Sequence, residues 1–383
     1  MTRESFEQTR RGMLRTTATL LAMGGIGTVS ATQYPAWNSE TLYNAGDRVT
    51  HDGSVWEATG PSRNAEPSAS SAYWKVSNGE SGENDGDSGT AGASVFAPYN
   101  HMTTNTETSL LDQYQQAGND AVTAAFVLSD GNGNAAWDGA ADMHVGEAGL
   151  ASEIQAYQDQ GGTVIVSFGG AVGTMIAQDT SDIAKIKTEY QDVIDTYGVT
   201  HLDFDIESVD QAAVDRRNQA LSELQDENAE LQVSYTLRCR TTGLTSHGQY
   251  VVESAKRHGV DLGFINVMTM NYGWVPPSAS TITDSANGTH SDLASIFPNR
   301  SAAEIWQMVG LTPMIGVNNV GGTHALADAQ DVASFVQNTG VGLVSFWSLD
   351  RDNGGCPDGS VSATCSGISQ SPYEFSQIYN QVQ

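Results

Sequence analysis

Thr200-His201-Leu202-Asp203-Phe204-Asp205-Ile206-Glu207 decides how the chain is read. Three acids alternate here with three large apolar residues. A period of two predicts a strand with Leu202, Phe204 and Ile206 on one face and Asp203, Asp205 and Glu207 on the other. Like charges on one strand face repel each other and are costly to desolvate. A solvated edge strand would tolerate them, but the apolar face predicts a packed strand. Carboxylates this close shift one another's proton affinity, so one of them can stay protonated near neutral pH.

Working outward, short apolar runs alternate with helical stretches from Ser94 onward. The other runs are Val95 to Tyr99, Val122 to Leu128, Val164 to Phe168, Val233 to Leu237, Phe264 to Met270, Pro313 to Val317 and Leu343 to Trp347. Between them, helices are expected at Ser181 to Tyr197, Gln211 to Asn228, Gly248 to His258, Ser301 to Met308 and Ala325 to Thr339. Eight strand–helix units predict an α/β fold, a (β/α)8 TIM barrel over 94–383; an open doubly wound sheet is the alternative. In a barrel the chemistry sits at the C-terminal ends of the strands, and Glu207 ends the fourth.

Before the barrel, residues 78–93 contain only Gly, Ser, Asn, Asp, Glu, Thr and Ala, the composition of a flexible acidic linker. Residues 34–77 hold Trp37, Tyr43, Trp56, Tyr73 and Trp74 among short strand and turn signals, which predicts a small all-β module with an aromatic core. Residues 1–31 carry Arg10-Arg11, a weakly apolar stretch and Val29-Ser30-Ala31, the pattern of a twin-arginine export signal. The expected location is therefore extracellular.

The 383 residues carry 45 acids against 17 bases, a net charge of −28. Such a surface repels phosphates, so nucleic acid and anionic membrane are not expected partners. Dispersed acids on a folded chain point to life at high salt, where self-repulsion is screened; a haloarchaeal source fits. Cys356 and Cys365 flank a turn-rich loop and can close a disulfide in an exported protein. Cys239 reads as a small buried residue. No spacing suggests a metal site or cofactor, and a monomer is expected. Asn287-Gly288-Thr289 and Asn299-Arg300-Ser301 match the glycosylation pattern in what reads as a polar insertion.

Two resemblances add to this. Ala36-Trp37, Tyr43 to Val49, Gly53 to Ala58, Glu66-Pro67-Ser68 and Tyr73 to Val76 resemble the chitin-binding modules of carbohydrate-binding families 5 and 12. That implies a chitin-binding role for Trp37, Tyr43, Trp56 and Trp74. Ala65 stands where related modules commonly have an exposed Trp. In the barrel, Ser167-Phe168-Gly169-Gly170, Asp203 to Glu207, Met268 to Tyr272 and Phe346 to Asp350 resemble glycoside hydrolase family 18 in order and spacing.

The family resemblance implies a chitinase acting on chitin and chitooligosaccharides, with Glu207 as the acid. It implies substrate-assisted retention through an oxazolinium ion rather than a second enzymic nucleophile. Asp205 would orient the acetamido N–H and Asp203 would share its proton. Tyr272 would bond the acetamido carbonyl, and Trp347 would floor the cleft. Ser167, Gly169, Gly170, Met270 and Asn271 would shape or line the substrate site. Asn271 stands where the family often has Asp. An endo-β-N-acetylglucosaminidase and a lectin of the same fold are the competing functions.

Overall fold

The computed structural model describes residues 94–104, 109–146, 149–208 and 210–383, with segments 36–39, 41–43, 48–51, 54–58, 62–63, 65–68 and 74–76 nearer the N-terminus. The expected signal at 1–31 and linker at 78–93 lie outside the described residues. The chain divides into two units, Met1–Asp87 and Ser88–Gln383.

In the first unit, Arg48–His51, Ser54–Ala58 and Trp74–Val76 form an antiparallel three-stranded sheet, and Leu42–Tyr43 pairs with Ser62–Arg63. Tyr43, Val49, Trp56, Ala58 and Trp74 are buried together, with half-buried Trp37 packed against them. The Trp74 indole donates to the Ala65 carbonyl at 2.8 Å, and Trp56 donates to His51 at 3.2 Å. Among the described residues of the unit, Tyr43, Trp56 and Trp74 are its core, their side chains largely covered. So small a unit has little else to bury.

The second unit contains eight parallel barrel strands, labelled here in chain order. They are β1 (Val95–Phe96 and Tyr99–His101), β2 (Ala121–Ser129), β3 (Thr163–Gly169), β4 (His201–Ile206), β5 (Gln232–Arg240), β6 (Leu262–Met268), β7 (Val309–Thr312) and β8 (Leu343–Val344). Each pairs with its neighbour in chain order, from β2 through to β8. The ring closes at β1, whose first half pairs with β8 and whose second half pairs with β2. Pro98, between the halves, has no N–H to give but still accepts from Thr123 at 2.9 Å.

The helices follow from local signals. Ile183–Tyr197 starts at Asp182, whose side chain accepts the N–H groups of Ala184 and Lys185, and stops at left-handed Gly198. Ile186, Tyr190, Val193 and Tyr197 recur every three or four residues and are buried. Tyr190 meets Phe168 and Phe204 with ring centres 4.9 and 5.1 Å apart. The apolar face of the acid strand is thereby sealed against a helix, which leaves its acids pointing into the barrel.

Two expectations fail here. The seventh strand is Val309–Thr312, not Pro313 to Val317. Pro313 cannot donate to a ladder, and Gly316–Val317 instead pairs antiparallel with Thr323–His324 beyond the strand end. The supposed polar insertion is an 18-residue helix, Ala279–Ile296. Asn287 is exposed on it, but Thr289 is fully buried and donates to the Ser285 carbonyl. Among the described residues no helix is long and apolar enough to cross a membrane. Cys356 and Cys365 are joined as a disulfide.

Candidate active site

Parallel register builds the site in rows. Ser167 on β3, Asp203 on β4 and Ser234 on β5 are lateral partners, and one row further out lie Gly169, Asp205 and Thr236. The first row is a hydroxyl cage. Asp203 accepts from Ser167 Oγ at 2.7 Å, Tyr99 Oη at 2.8 Å, Ser234 Oγ at 2.8 Å and Thr236 Oγ1 at 3.0 Å. Burial raises the proton affinity of Asp203 above the ordinary carboxylate range, and these hydroxyls oppose the shift. Behind the cage, Asn266 donates to Thr236 at 3.0 Å and accepts from Thr312 at 2.8 Å, which carries the network to β7.

Asp205 is the opposite case. It is buried, and its Oδ1 has no hydrogen-bond partner. Burial, then the charges of Glu207 and Asp203, hold its proton affinity well above the ordinary value, with Arg238 opposing. Its backbone is fixed by the Ser-Phe-Gly-Gly turn. The Gly170 N–H donates to the Asp205 carbonyl at 3.1 Å. A Cβ at Gly169 would stand 2.1 Å from that same oxygen, and its φ of +109° is one that side chains avoid.

Glu207 follows β4 and is bound by Arg238 at the end of β5. The guanidinium donates from Nη2 at 2.6 Å and Nε at 3.1 Å, both to Oε2. Both residues line a cleft of about 490 Å³ with Asp205, Thr236 and Cys239. Tyr99, Phe126 and Trp347 form an aromatic side; Phe126 and Trp347 are stacked, 5.6 Å apart and 14° from parallel. Met268, Met270, Asn271, Met314, Asn319 and Val320 line it as well, with Ala171 and Thr312. Asn271 adopts a left-handed backbone, accepts the Val320 N–H on its side-chain oxygen at 3.1 Å and donates its own N–H to the side-chain Oδ1 of Asn318 at 3.1 Å. It thus ties the loop after β6 to the loop after β7.

The cleft gathers Asp205, Glu207, Trp347, Met270 and Asn271 from the residues expected at the site. Ser167, Gly169 and Gly170 do not line it; Ser167 holds Asp203, and the glycines permit the close approach to Asp205. Tyr272 is also displaced from its expected place. Its hydroxyl lies 2.7 Å from Ser285 Oγ and 3.7 Å from Cys239 Sγ, behind the cleft wall. Cys239, expected as a plain core residue, is half-buried in that wall, and burial pushes its thiol up to about 11. Trp137 is in the core, bonded to Tyr197, and Trp274 is fully exposed. Arg238, Ser234 and Thr236 went unread in the sequence. Arg238-Cys239-Arg240 was a signal, since two Arg at a strand end stand out in a chain so poor in bases. Among the described residues no three His, Cys, Asp or Glu are grouped to hold a metal ion.

An eight-stranded barrel with a buried acid pair and an ion-paired glutamate opening on an aromatic-sided cleft defines a class, the barrel hydrolases of glycans. Within it the chain belongs to the glycosyl hydrolases family 18, whose model matches residues 95–312. It is 34% identical over 372 residues to the probable bifunctional chitinase/lysozyme of Escherichia coli (strain K12), covering 90% of this chain and 41% of that protein. It is 34% identical over 339 residues to Endochitinase 11 of Metarhizium anisopliae, covering 83% and 64%. The chain therefore spans less than two thirds of either relative. The catalytic domain of the hyperthermophilic chitinase from Pyrococcus furiosus superposes with a TM-score of 0.71 at 34% identity, over 76% of this chain and 95% of that one. A fungal endo-β-N-acetylglucosaminidase of the family shares the fold at 17% identity and a TM-score of 0.52.

Proposed function

We propose that this chain is a chitinase that hydrolyses the β-1,4 linkages of chitin and N-acetyl-chitooligosaccharides with retention of configuration. One observation carries the reading: among the described residues lining the cleft, the only carboxylates, Asp205 and Glu207, come from one wall. A retaining enzyme with its own nucleophile needs a second carboxylate across the sugar. The substrate's acetamido oxygen supplies that attack instead. Glu207 protonates the leaving glycosidic oxygen as the acetamido oxygen closes on C1 to give an oxazolinium ion. Asp205 accepts the acetamido N–H and offsets the charge that develops there. Glu207 then takes a proton from the water that opens the ring, and Asp203 holds Asp205 in place. Trp347 is the floor under the sugar. The relatives at 34% identity, an endochitinase among them, favour chitin over N-glycans, for which only a likeness of fold speaks.

The test uses matched oligomers. The wild type is expected to cleave N-acetylglucosamine oligomers and leave the fully deacetylated ones intact. Glu207→Gln is expected to lose about 10²–10⁴-fold in kcat. Cleavage of deacetylated oligomers, or a Glu207→Gln variant that turns over normally, sinks the mechanism.

The same reading extends to the rest of the chain. Residues 1–31 direct twin-arginine export, and residues 34–77 hold the enzyme on insoluble chitin, with Trp37 as the remaining aromatic candidate. Removing everything before Ser94 is expected to weaken binding to crystalline chitin while sparing short oligomers. The net charge of −28 supports a halophilic enzyme. Its melting temperature is expected to rise with added KCl.

A further inference from the structure

Glu207 is already engaged when the cleft is empty. A single carboxylate oxygen takes both guanidinium bonds, so the two-pronged fork is not matched to two oxygens. The Arg238 side chain is 60% exposed and that of Glu207 is 19% exposed. Among the described residues the Arg238 side chain has no other hydrogen-bond or ion-pair partner. It is therefore tethered by Glu207 alone and can swing into solvent.

The charges around the pair keep it closed. Asp203 and Asp205 stand on β4, which Glu207 directly follows, with Tyr99 of β1 bonded to Asp203. On the other side, Arg238 and Glu207 also border a smaller hollow lined by Arg240 of β5 and by His247 of the helix Ser246–His258. The Arg240 guanidinium there repels Arg238 toward the carboxylates. From β6, β7 and the segment just after β7 the cleft presents Met268, Thr312 and Met314, all neutral. Cys239 beside Arg238 stays an uncharged thiol at neutral pH.

We infer that Arg238 is a charge latch on the acid: it holds Glu207 in the empty cleft, and an incoming sugar chain must displace it before Glu207 can pass on a proton. The inference rests on Glu207 being the acid. The ion pair requires a carboxylate, whereas the donor step requires a carboxylic acid. Opening the latch is thus coupled to uptake of one solvent proton by Glu207. That proton goes to the glycosidic oxygen as the C1–O bond breaks, and the attacking water returns one in the second half of the reaction. Arg238 touches the acid and no reacting atom, so it is a positioning residue.

Arg238→Gln and Arg238→Lys test this, with kcat/KM on short N-acetyl oligomers measured against pH. Arg238→Gln is expected to move the alkaline limb upward by about one pH unit, the low end for loss of a neighbouring guanidinium because the pair is partly exposed. Arg238→Lys is expected to leave it in place. A second readout needs no turnover: the carboxyl carbon of Glu207, followed by NMR in ¹³C-glutamate-labelled full-length protein, is expected to titrate about one pH unit higher in Arg238→Gln than in wild type. If the wild type cleaves no sugar, the functional reading fails while this titration still decides the latch. An unshifted Glu207 titration overturns it. So does an unshifted profile with KM raised at every pH, which makes Arg238 a sugar contact.

Discussion

The two ends of the acid strand handle negative charge in opposite ways. At the inner end, Asp203 is enclosed by hydroxyls from β1, β3 and β5, each fixed by the strand that carries it. At the outer end, Glu207 meets one long, exposed cation. Asp205, between them, has neither arrangement on its Oδ1. The difference separates what must never move from what must change at each turnover. A caged carboxylate keeps one state; an ion-paired one can be switched; an unpaired buried one is poised to accept whatever the substrate brings.

The largest effect is expected where the two regimes meet. Asp205→Asn removes the charge that answers the acetamido group and should lower kcat by about 10³-fold with little change in KM. A loss below tenfold would mean that Asp205 belongs with the structural end of the strand. Next comes Gly169→Ala, which must push the Asp205 carbonyl away and occupy an unfavourable φ. About 3 kcal/mol of stability should be lost in urea unfolding. If the variant is as stable as wild type, the strand's outer half is softer than the comparison holds.

Breaking the cage is the third test. Thr236→Val removes one donor to Asp203 and the acceptor for Asn266, leaving buried groups unpaired at a cost of about 2 kcal/mol. The fourth and smallest effect concerns pH. The folded-state proton affinity of Asp205 is raised, so the stability it gives is full below its ordinary pKa of 3.8 and is lost as pH rises through the folded value. At pH 7 wild type therefore carries a penalty that Asn does not. Asp205→Asn should melt higher than wild type at pH 7, by about 2 °C or more, with the gap closing toward pH 4. An inactive variant that is also less stable at pH 7 would contradict this.

The strand order and the acids were legible because period-two patterning survives in a single sequence, and Asp203-Phe204-Asp205 is a conspicuous case of it. The seventh strand was misplaced because Val309-Gly310-Leu311-Thr312 looks weaker than Met314-Ile315, although beyond Pro313 only an isolated bridge from Met314 to Trp347 prolongs the pairing. The helix Ala279–Ile296 was hidden by its Ser, Thr and Gly content. It packs by its small residues: a Cβ on Gly288 would lie 2.2 Å from the Thr242 backbone, and Ser285 and Thr289 turn their hydroxyls back onto carbonyls four residues earlier. At the site, Glu207 could be read from the strand end. That Arg238 on β5 pairs with it could not, because lateral register between strands leaves no mark in spacing along the chain; the two Arg at that strand end marked only an unusual place. Tyr272 carried the expected motif position, yet the helix Ala279–Ile296 supplies Ser285 and draws its hydroxyl away from the cleft.

Tyr99 belongs to the first barrel strand synthesised, and that strand is held on one side by the last, through the pairing of Val95 with Leu343. The phenol that completes the cage around Asp203 is therefore anchored by a contact spanning almost the entire barrel sequence. A chain still missing β8 has its acids but not the closed ring that fixes their surroundings. Catalytic competence should consequently appear late in folding, together with ring closure, so a partly made enzyme has no working site to expose.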